Sequence, residues 1–290
     1  MHCLSTSEKK TELVTRFFQQ PPDLKELISQ DKSTYFNGWR GFKKTNISVG
    51  DGIDVKESMS FRYLPQYDPD PKDPNAVPPA VKPWLRGEEY VWEGTSHLPS
   101  FKKDCMAYWA ACLTLARKLV RIFALSLELE EETYFDEKVT YPGADMVLNY
   151  YPPRTAEEEA ENAIGLGSHT DLQCFTLLWQ DMIGGLQVLT AQGQWIKAPP
   201  IEGTIVVNIG DFLMRVSNDT FKSTVHRVFN ASKAERVSMP FFFGFNFNEI
   251  CGVIPSCASE ENPPKYEPIS CGDVSQISFL AWCTPSWLTY

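Results

Sequence analysis

Two short stretches carry the side chains best suited to chemistry: Ser168-His169-Thr170-Asp171, and Ser223-Thr224-Val225-His226-Arg227-Val228. Along an extended strand, side chains two apart share a face, so His169 and Asp171 point into one cavity and an adjacent strand can present His226 to them. Two neutral imidazoles and one carboxylate grip a cation from one side and leave its other positions open. That donor set suits non-haem Fe(II), and it also suits zinc. A His-x-Asp pair alone is weak, because aspartates cap turns and single histidines often serve packing. Scarcity adds weight: of the 4 histidines in the chain, His2 lies at the terminus and His97 in a loop, which leaves His169 and His226 for a strand-borne site. Further on, Arg236 and Ser238 also lie two apart, and a guanidinium fork beside a hydroxyl holds a carboxylate. The pattern is a metal with a bound acid beside it.

The elements that position such a site must be mostly strands. Segments 146–151, 172–178, 186–189, 195–197, 204–208, 224–229 and 236–245 have strand character, and Gly184-Gly185, Gln192-Gly193 and Pro199-Pro200 break the run. Such spacing predicts an antiparallel sandwich or barrel. Period two then sorts the side chains: with Asn149 and Tyr151 inward, Val147 follows, and with Arg236 and Ser238 inward, Pro240 and Phe242 continue the row. Val147 and Phe242 are therefore candidates for the substrate wall, with Phe229 a further one, while Phe241, Phe243 and Phe245 read as core. Arg62, after Ser60-Phe61, is weighed as a substrate-facing cation against an ordinary exposed charge.

Helical spacing of Leu13, Val14, Phe17 and Phe18 predicts a packing helix over 6–20, stopped by Pro21-Pro22. A longer helix is predicted over 100–127, with Ser100 as N-cap and Cys105 and Cys112 on its buried face. It can cover the sheet face turned away from the cavity. Prolines at 65, 69, 71, 74, 78, 79 and 83 make 63–84 a surface loop, a connector with the reach to cover the cavity mouth. The acidic run Glu157-Glu158-Glu159-Ala160-Glu161 reads as a solvated loop before the metal strand.

The 290 residues, 43% of them hydrophobic, suffice for a sizeable core in one domain. Net charge is −10, from 27 basic and 37 acidic residues, and no Lys/Arg cluster stands out, which argues against a nucleic-acid partner. The first residues lack the basic-then-apolar pattern of a secretory signal, and no apolar run approaches about 18 residues. The expectation is a cytoplasmic protein without membrane contact. The 8 cysteines show no paired metal spacing and are expected as free thiols.

Together these motifs resemble the Fe(II)/2-oxoglutarate-dependent dioxygenases of the isopenicillin N synthase-like group. The resemblance rests on Asn149-Tyr150-Tyr151-Pro152, His169-Thr170-Asp171, Gly184-Gly185-Leu186-Gln187-Val188, Val206-Val207-Asn208-Ile209-Gly210-Asp211, the 217–228 stretch and Arg236-Val237-Ser238. It is looser upstream, at Arg16-Phe17-Phe18, Trp39-Arg40-Gly41-Phe42 and Lys56-Glu57-Ser58. It implies a mainly β fold with flanking helices, a double-stranded β-helix or jelly roll. Residues 145–250 would form its core, 1–144 a supporting helical and loop part, and 251–290 an atypical C-terminal segment of the same domain. It implies Fe(II) on His169, Asp171 and His226. It further implies 2-oxoglutarate with its far carboxylate against Arg236 and Ser238, Tyr151 and Asn149 adding hydrogen bonds, and ascorbate as a candidate reductant. The partners implied are O2 and a small-molecule substrate, hydrophobic in keeping with Val147, Phe242 and Phe229. A C–H bond would be hydroxylated or desaturated, or a ring rearranged, with release of succinate and CO2. The ends are expected to depart from the pattern: the family's first strand and helix are not recognised ahead of the first predicted helix, an absence that would leave a sheet edge to protect, and 277–290 is apolar and aromatic. Three alternatives stay open: a same-group oxidase that uses no 2-oxoglutarate, a zinc hydrolase, and a metal-binding form without activity.

Overall fold

The computed structural model describes residues 6–274 apart from 45–46, 49–50, 52–53, 71, 161–162 and 230–232, so the apolar 277–290 stretch lies outside the described residues. The helices are α1 (Ser7–Phe18), α2 (Pro22–Glu26), α3 (Tyr90–Gly94), α4 (Phe101–Ser126), α5 (Ala156–Ala160) and α6 (Asp211–Val216). The strands are β1 (Gly38–Arg40), β2 (Glu57–Phe61), β3 (Pro142–Tyr151), β4 (Leu166–His169), β5 (Phe175–Gln180), β6 (Leu186–Leu189), β7 (Trp195–Lys197), β8 (Val206–Ile209), β9 (His226–Val228), β10 (Arg236–Asn246), β11 (Ile250–Cys251) and β12 (Ile269–Ser270). They form an antiparallel six-stranded sheet in the order β1-β2-β3-β10-β5-β8, a four-stranded sheet β4-β9-β6-β7 and a small β11-β12 ribbon. This is the mainly β jelly roll with flanking helices that the motifs imply.

Alternation along β10 explains how the core and the cavity share one sheet. Val237, Met239, Phe241, Phe243 and Phe245 are buried on one face, beside Ala144, Met146 and Leu148 of β3 and Leu177 of β5. Against this face pack α1, through Leu13, Val14, Phe17 and Phe18, and α4, through Trp109 and Leu113 among others. Trp109 donates from Nε1 to the Ala144 carbonyl at 3.1 Å and meets Phe241 edge-on, with ring centroids 6.3 Å apart. Cys105 and Cys112 sit on the buried face of α4, and neither they nor Cys174, Cys251, Cys257 and Cys271 form a disulfide among the described residues.

Several expectations shift. Ser100 occupies the N-cap position of α4 but has φ 62° and makes no side-chain cap. β5 starts at Phe175 rather than 172, because the carbonyls of Asp171, Leu172 and Gln173 accept from the amides of Asp211 and Phe212 at the entry to α6. Over its described residues the acidic run belongs to the short helix α5 rather than to a loop. Glu158 is buried in it and accepts from the Thr155 amide at 3.1 Å. The proline-rich 63–84 stretch forms three 3₁₀ turns, and none of its described residues lines the cavity, so it connects and does not cover. One edge of the six-stranded sheet is β1, only three residues long, with an isolated bridge between Ser29 and Trp39 on its outer side, and the other edge is the four-residue β8. Edges so short offer little template for another chain. No helix among the described residues is long and apolar enough to cross a membrane.

Candidate active site

β4 and β9 pair so that His169 stands directly opposite His226, and Asp171 follows two residues later, where alternation returns its carboxylate to the same side. One ligand atom from each of His169, Asp171 and His226 lies within 4.8 Å of the others. Asp171 Oδ1 is 3.8 Å from His169 Nε2 and 3.7 Å from His226 Nε2. Metal bonds of about 2.1 Å span up to about twice that length, so one ion can touch all three. The imidazole tautomers follow from the backbone. His169 Nδ1 is 2.7 Å from the Gly167 carbonyl and His226 Nδ1 is 3.1 Å from the Thr224 carbonyl. A carbonyl only accepts, so Nδ1 carries the proton and the Nε2 lone pair faces the centre. Burial, and then the charge of His226, pull the His169 pKa below the ordinary histidine value, which keeps the ring neutral and able to ligate.

Asp171 is held from the far side. Its Oδ2 accepts from Thr176 Oγ1 at 2.6 Å and from Asn208 Nδ2 at 2.8 Å, which leaves Oδ1 for the metal. Neither Thr176 nor Asn208 was singled out from the sequence. Asn208 lies within the 206–211 motif with no partner suggested by spacing, and Thr176 is signalled only by the register that puts it beside Asn208 on the cavity face. Gly210 explains its own place in that motif: a Cβ there would lie 2.2 Å from the Gln173 carbonyl oxygen. Its absence lets the Asp211 amide reach the Asp171 carbonyl at 2.7 Å.

The cavity between the sheets measures about 610 Å³. Strand register lays its wall out in rows. Tyr151 faces Arg236; the next row is Ser58, Asn149, Ser238 and Gln180; then come Ser60 with Val147, and Pro240 with Leu178 and Val206; the last is Asp145, Phe242, Thr176 and Asn208. Asn149, Tyr151, Arg236, Ser238, Val147, Phe242 and Arg62 all line it, as do the three metal candidates. Arg236 is fully buried, donates to Gln180 Oε1 at 3.1 Å and to Ser238 Oγ at 3.4 Å, and lies over the Tyr151 ring at 4.7 Å. Its Nε has no partner, and it forms no ion pair among the described residues.

Two expectations for the substrate end change. Arg62 is not an exposed charge: it pairs with Asp145 at 2.5 Å and donates from Nε to the Tyr35 carbonyl at 2.6 Å. Phe229 does not line the cavity. With His226 and Val228 inward, alternation turns it outward with Arg227, and its ring carries the guanidinium of Arg154 at 4.9 Å.

A family model described as the 2OG-Fe(II) oxygenase superfamily matches residues 142–245. Over 263 residues the chain is 44% identical to the 2-oxoglutarate-Fe(II) type oxidoreductase ppzC of Metarhizium majus, covering 89% of this chain and 70% of that protein. The chain belongs to the 2OG-Fe(II) oxygenase superfamily. Among solved structures, this oxygenase resembles a full-length Neurospora crassa protein in complex with alpha-KG, with TM-score 0.77 and 28% identity over 94% of this chain and 82% of that one. The same Neurospora crassa protein with alpha-KG and thymine gives TM-score 0.75 at 28% identity, covering 94% and 83%.

Fe(II) and 2-oxoglutarate are thus the metal and cosubstrate of this oxygenase, and its residues fit both. The donor set is two neutral imidazoles and a carboxylate with open positions beyond. The buried Arg236, without an acid partner among the described residues, fits the counter-charge that a buried carboxylate would require.

Proposed function

We propose that this oxygenase oxidises a C–H bond of a small organic molecule, with release of succinate and CO2. His169, Asp171 and His226 hold the metal, while Arg236 and Ser238, with Tyr151 and Asn149, hold the cosubstrate. The observation that carries the proposal is the order of the rows: a cationic row at Arg236, an apolar band at Val147 and Pro240, and a polar end at Asp145. Held by these residues, Fe(II) would supply the activation of O2 that couples decarboxylation of 2-oxoglutarate to the oxidation of a nearby C–H bond. The chain positions that bond and excludes water.

The substrate end supports a narrower class than a purely hydrophobic one. Phe242 offers a flat apolar face. Beside it Asp145 accepts from Arg62 and from Gln173 Nε2 at 3.0 Å, and the Gln173 Oε1 is buried without a partner. A planar ring carrying hydrogen-bonding groups matches such a wall, and the similar Neurospora crassa protein forms a complex with thymine. The test is succinate release measured with a panel of such rings under air. Release should depend on ring, 2-oxoglutarate and O2, and His226→Ala should abolish it even in excess Fe(II). Turnover without 2-oxoglutarate would instead favour an oxidase of the same group, and survival of wild-type rate in His226→Ala would refute the metal assignment.

A further inference from the structure

The row that begins the cavity wall has a third member. Glu57 pairs with Tyr150, so one residue earlier Lys56 falls opposite Tyr151, which in turn faces Arg236. Two cations thus flank one tyrosine, and both line the cavity. Lys56 is buried at 9% exposure, and its Nζ donates to Asn149 Oδ1 at 2.9 Å. Among the described residues it forms no ion pair. This differs sharply from its neighbour Glu57, which faces the opposite side of the strand and binds Lys25 at 2.7 Å and Trp39 Nε1 at 2.6 Å.

The charged surroundings of Lys56 do not neutralise it. From its own segment comes Asp54, whose carboxylate is already engaged by the amides of Gly167 at 2.8 Å and Ile47 at 3.3 Å. From β10 comes Arg236 and from β1 Arg40, both of the same sign as Lys56; Arg40 is itself tied to the Lys44 carbonyl at 3.0 Å. Counting Lys56, Arg236 and Arg40 against Asp54 leaves two positive charges, one of which a single bound carboxylate would balance. Holding Asn149 in place needs only a neutral donor, whereas a buried ammonium is costly unless an anion meets it.

We propose that Lys56 is a second cation of the 2-oxoglutarate site, sharing the far carboxylate with Arg236 while turning the Asn149 amide so that its Nδ2 faces the cosubstrate. The proposal rests on the cosubstrate assignment above and can fail separately from it. The experiment is anaerobic calorimetric titration of the Fe(II)-loaded protein with 2-oxoglutarate and with 2-oxopentanoate, which lacks the far carboxylate. Lys56→Met should weaken 2-oxoglutarate binding roughly 10-fold or more, as expected for loss of a charged hydrogen bond. Lys56→Arg should restore most of that affinity, and 2-oxopentanoate should bind wild type and Lys56→Met alike. Unchanged 2-oxoglutarate affinity in Lys56→Met, or equal losses for both ligands, would overturn the proposal and leave Lys56 a structural strap. Should Lys56→Met fail to fold, Lys56→Gln removes the charge and keeps a donor for Asn149. A wild-type protein that binds no 2-oxoglutarate would instead refute the cosubstrate assignment itself.

Discussion

On one side of β10, Val237, Met239, Phe241 and Phe243 meet α1 and α4 with 0–1% of their surface exposed; on the other, Arg236, Ser238, Pro240 and Phe242 face a cavity. The two faces share a backbone and obey different constraints. The helix-facing side is specified by volume and apolarity, so any well-packed set of large side chains satisfies it. The cavity side is specified by partners contributed from distant segments: Gln180 for Arg236, Thr176 and Asn208 for Asp171, Asn149 for Lys56. Packing therefore fixes where the sheet lies, and hydrogen bonding fixes how its functional atoms point.

The largest expected effect separates the faces directly. Phe241→Ala should cost about 3–5 kcal/mol by opening a hole between Trp109 and Phe243. Phe242→Ala, one residue away, should change stability by no more than about 1 kcal/mol, since its ring already borders open space. Its effect should appear as a raised KM or altered ring preference. Urea unfolding of both variants checks this, and equal destabilisation would break the assignment of Phe242 to the cavity.

A smaller effect comes from the buried charge on the cavity face. Burial lowers Lys56 from 10.5 to about 8, with Arg40 and Arg236 adding to it and Asp54 opposing. Between those values the unfolded chain binds a proton that the folded chain has released, so this group's contribution to stability rises with pH from about 8 to 10.5. Below that window the folded protein bears the full cost of the buried ammonium. Without 2-oxoglutarate, Lys56→Met should therefore melt higher than wild type at pH 7, by up to about 3 kcal/mol, and the difference should shrink as pH is raised. A gap that widens instead would show that the Asn149 bond outweighs the charge.

The sequence made the alternating side legible and the converging side only in part. Runs such as Phe241 to Phe245 announce their faces through period two, and His169, Asp171, Arg236 and Ser238 announce theirs through spacing within a single strand. Phe229 misled because the same alternation, started from His226, turns it outward; the parity of the strand was available, but the strand ends at Val228. Arg62 and Lys56 were harder. Their partners Asp145 and Asn149 are 83 and 93 positions away, and only the pairing of β2 with β3 brings them together. Side-chain types suggest that a charge needs a partner, but local pattern cannot say which distant strand will supply it.

The sharpest test of that distinction is the smallest change. Thr176→Val keeps volume and strand preference and removes only the hydroxyl that donates to Asp171 Oδ2 at 2.6 Å. If packing alone set the metal site, nothing would follow, because Asn208 still donates at 2.8 Å and the Asp171 backbone is still anchored through Asp211. If the outer hydrogen bonds aim Oδ1, Fe(II) affinity should fall about 10- to 100-fold, the range seen when such supporting partners are lost. Metal titration followed by thermal melting reads both quantities on one sample. The metal-free melting point should stay near wild type while the metal-induced stabilisation drops, and a parallel loss in both would mean that Thr176 supports the strand rather than the ligand.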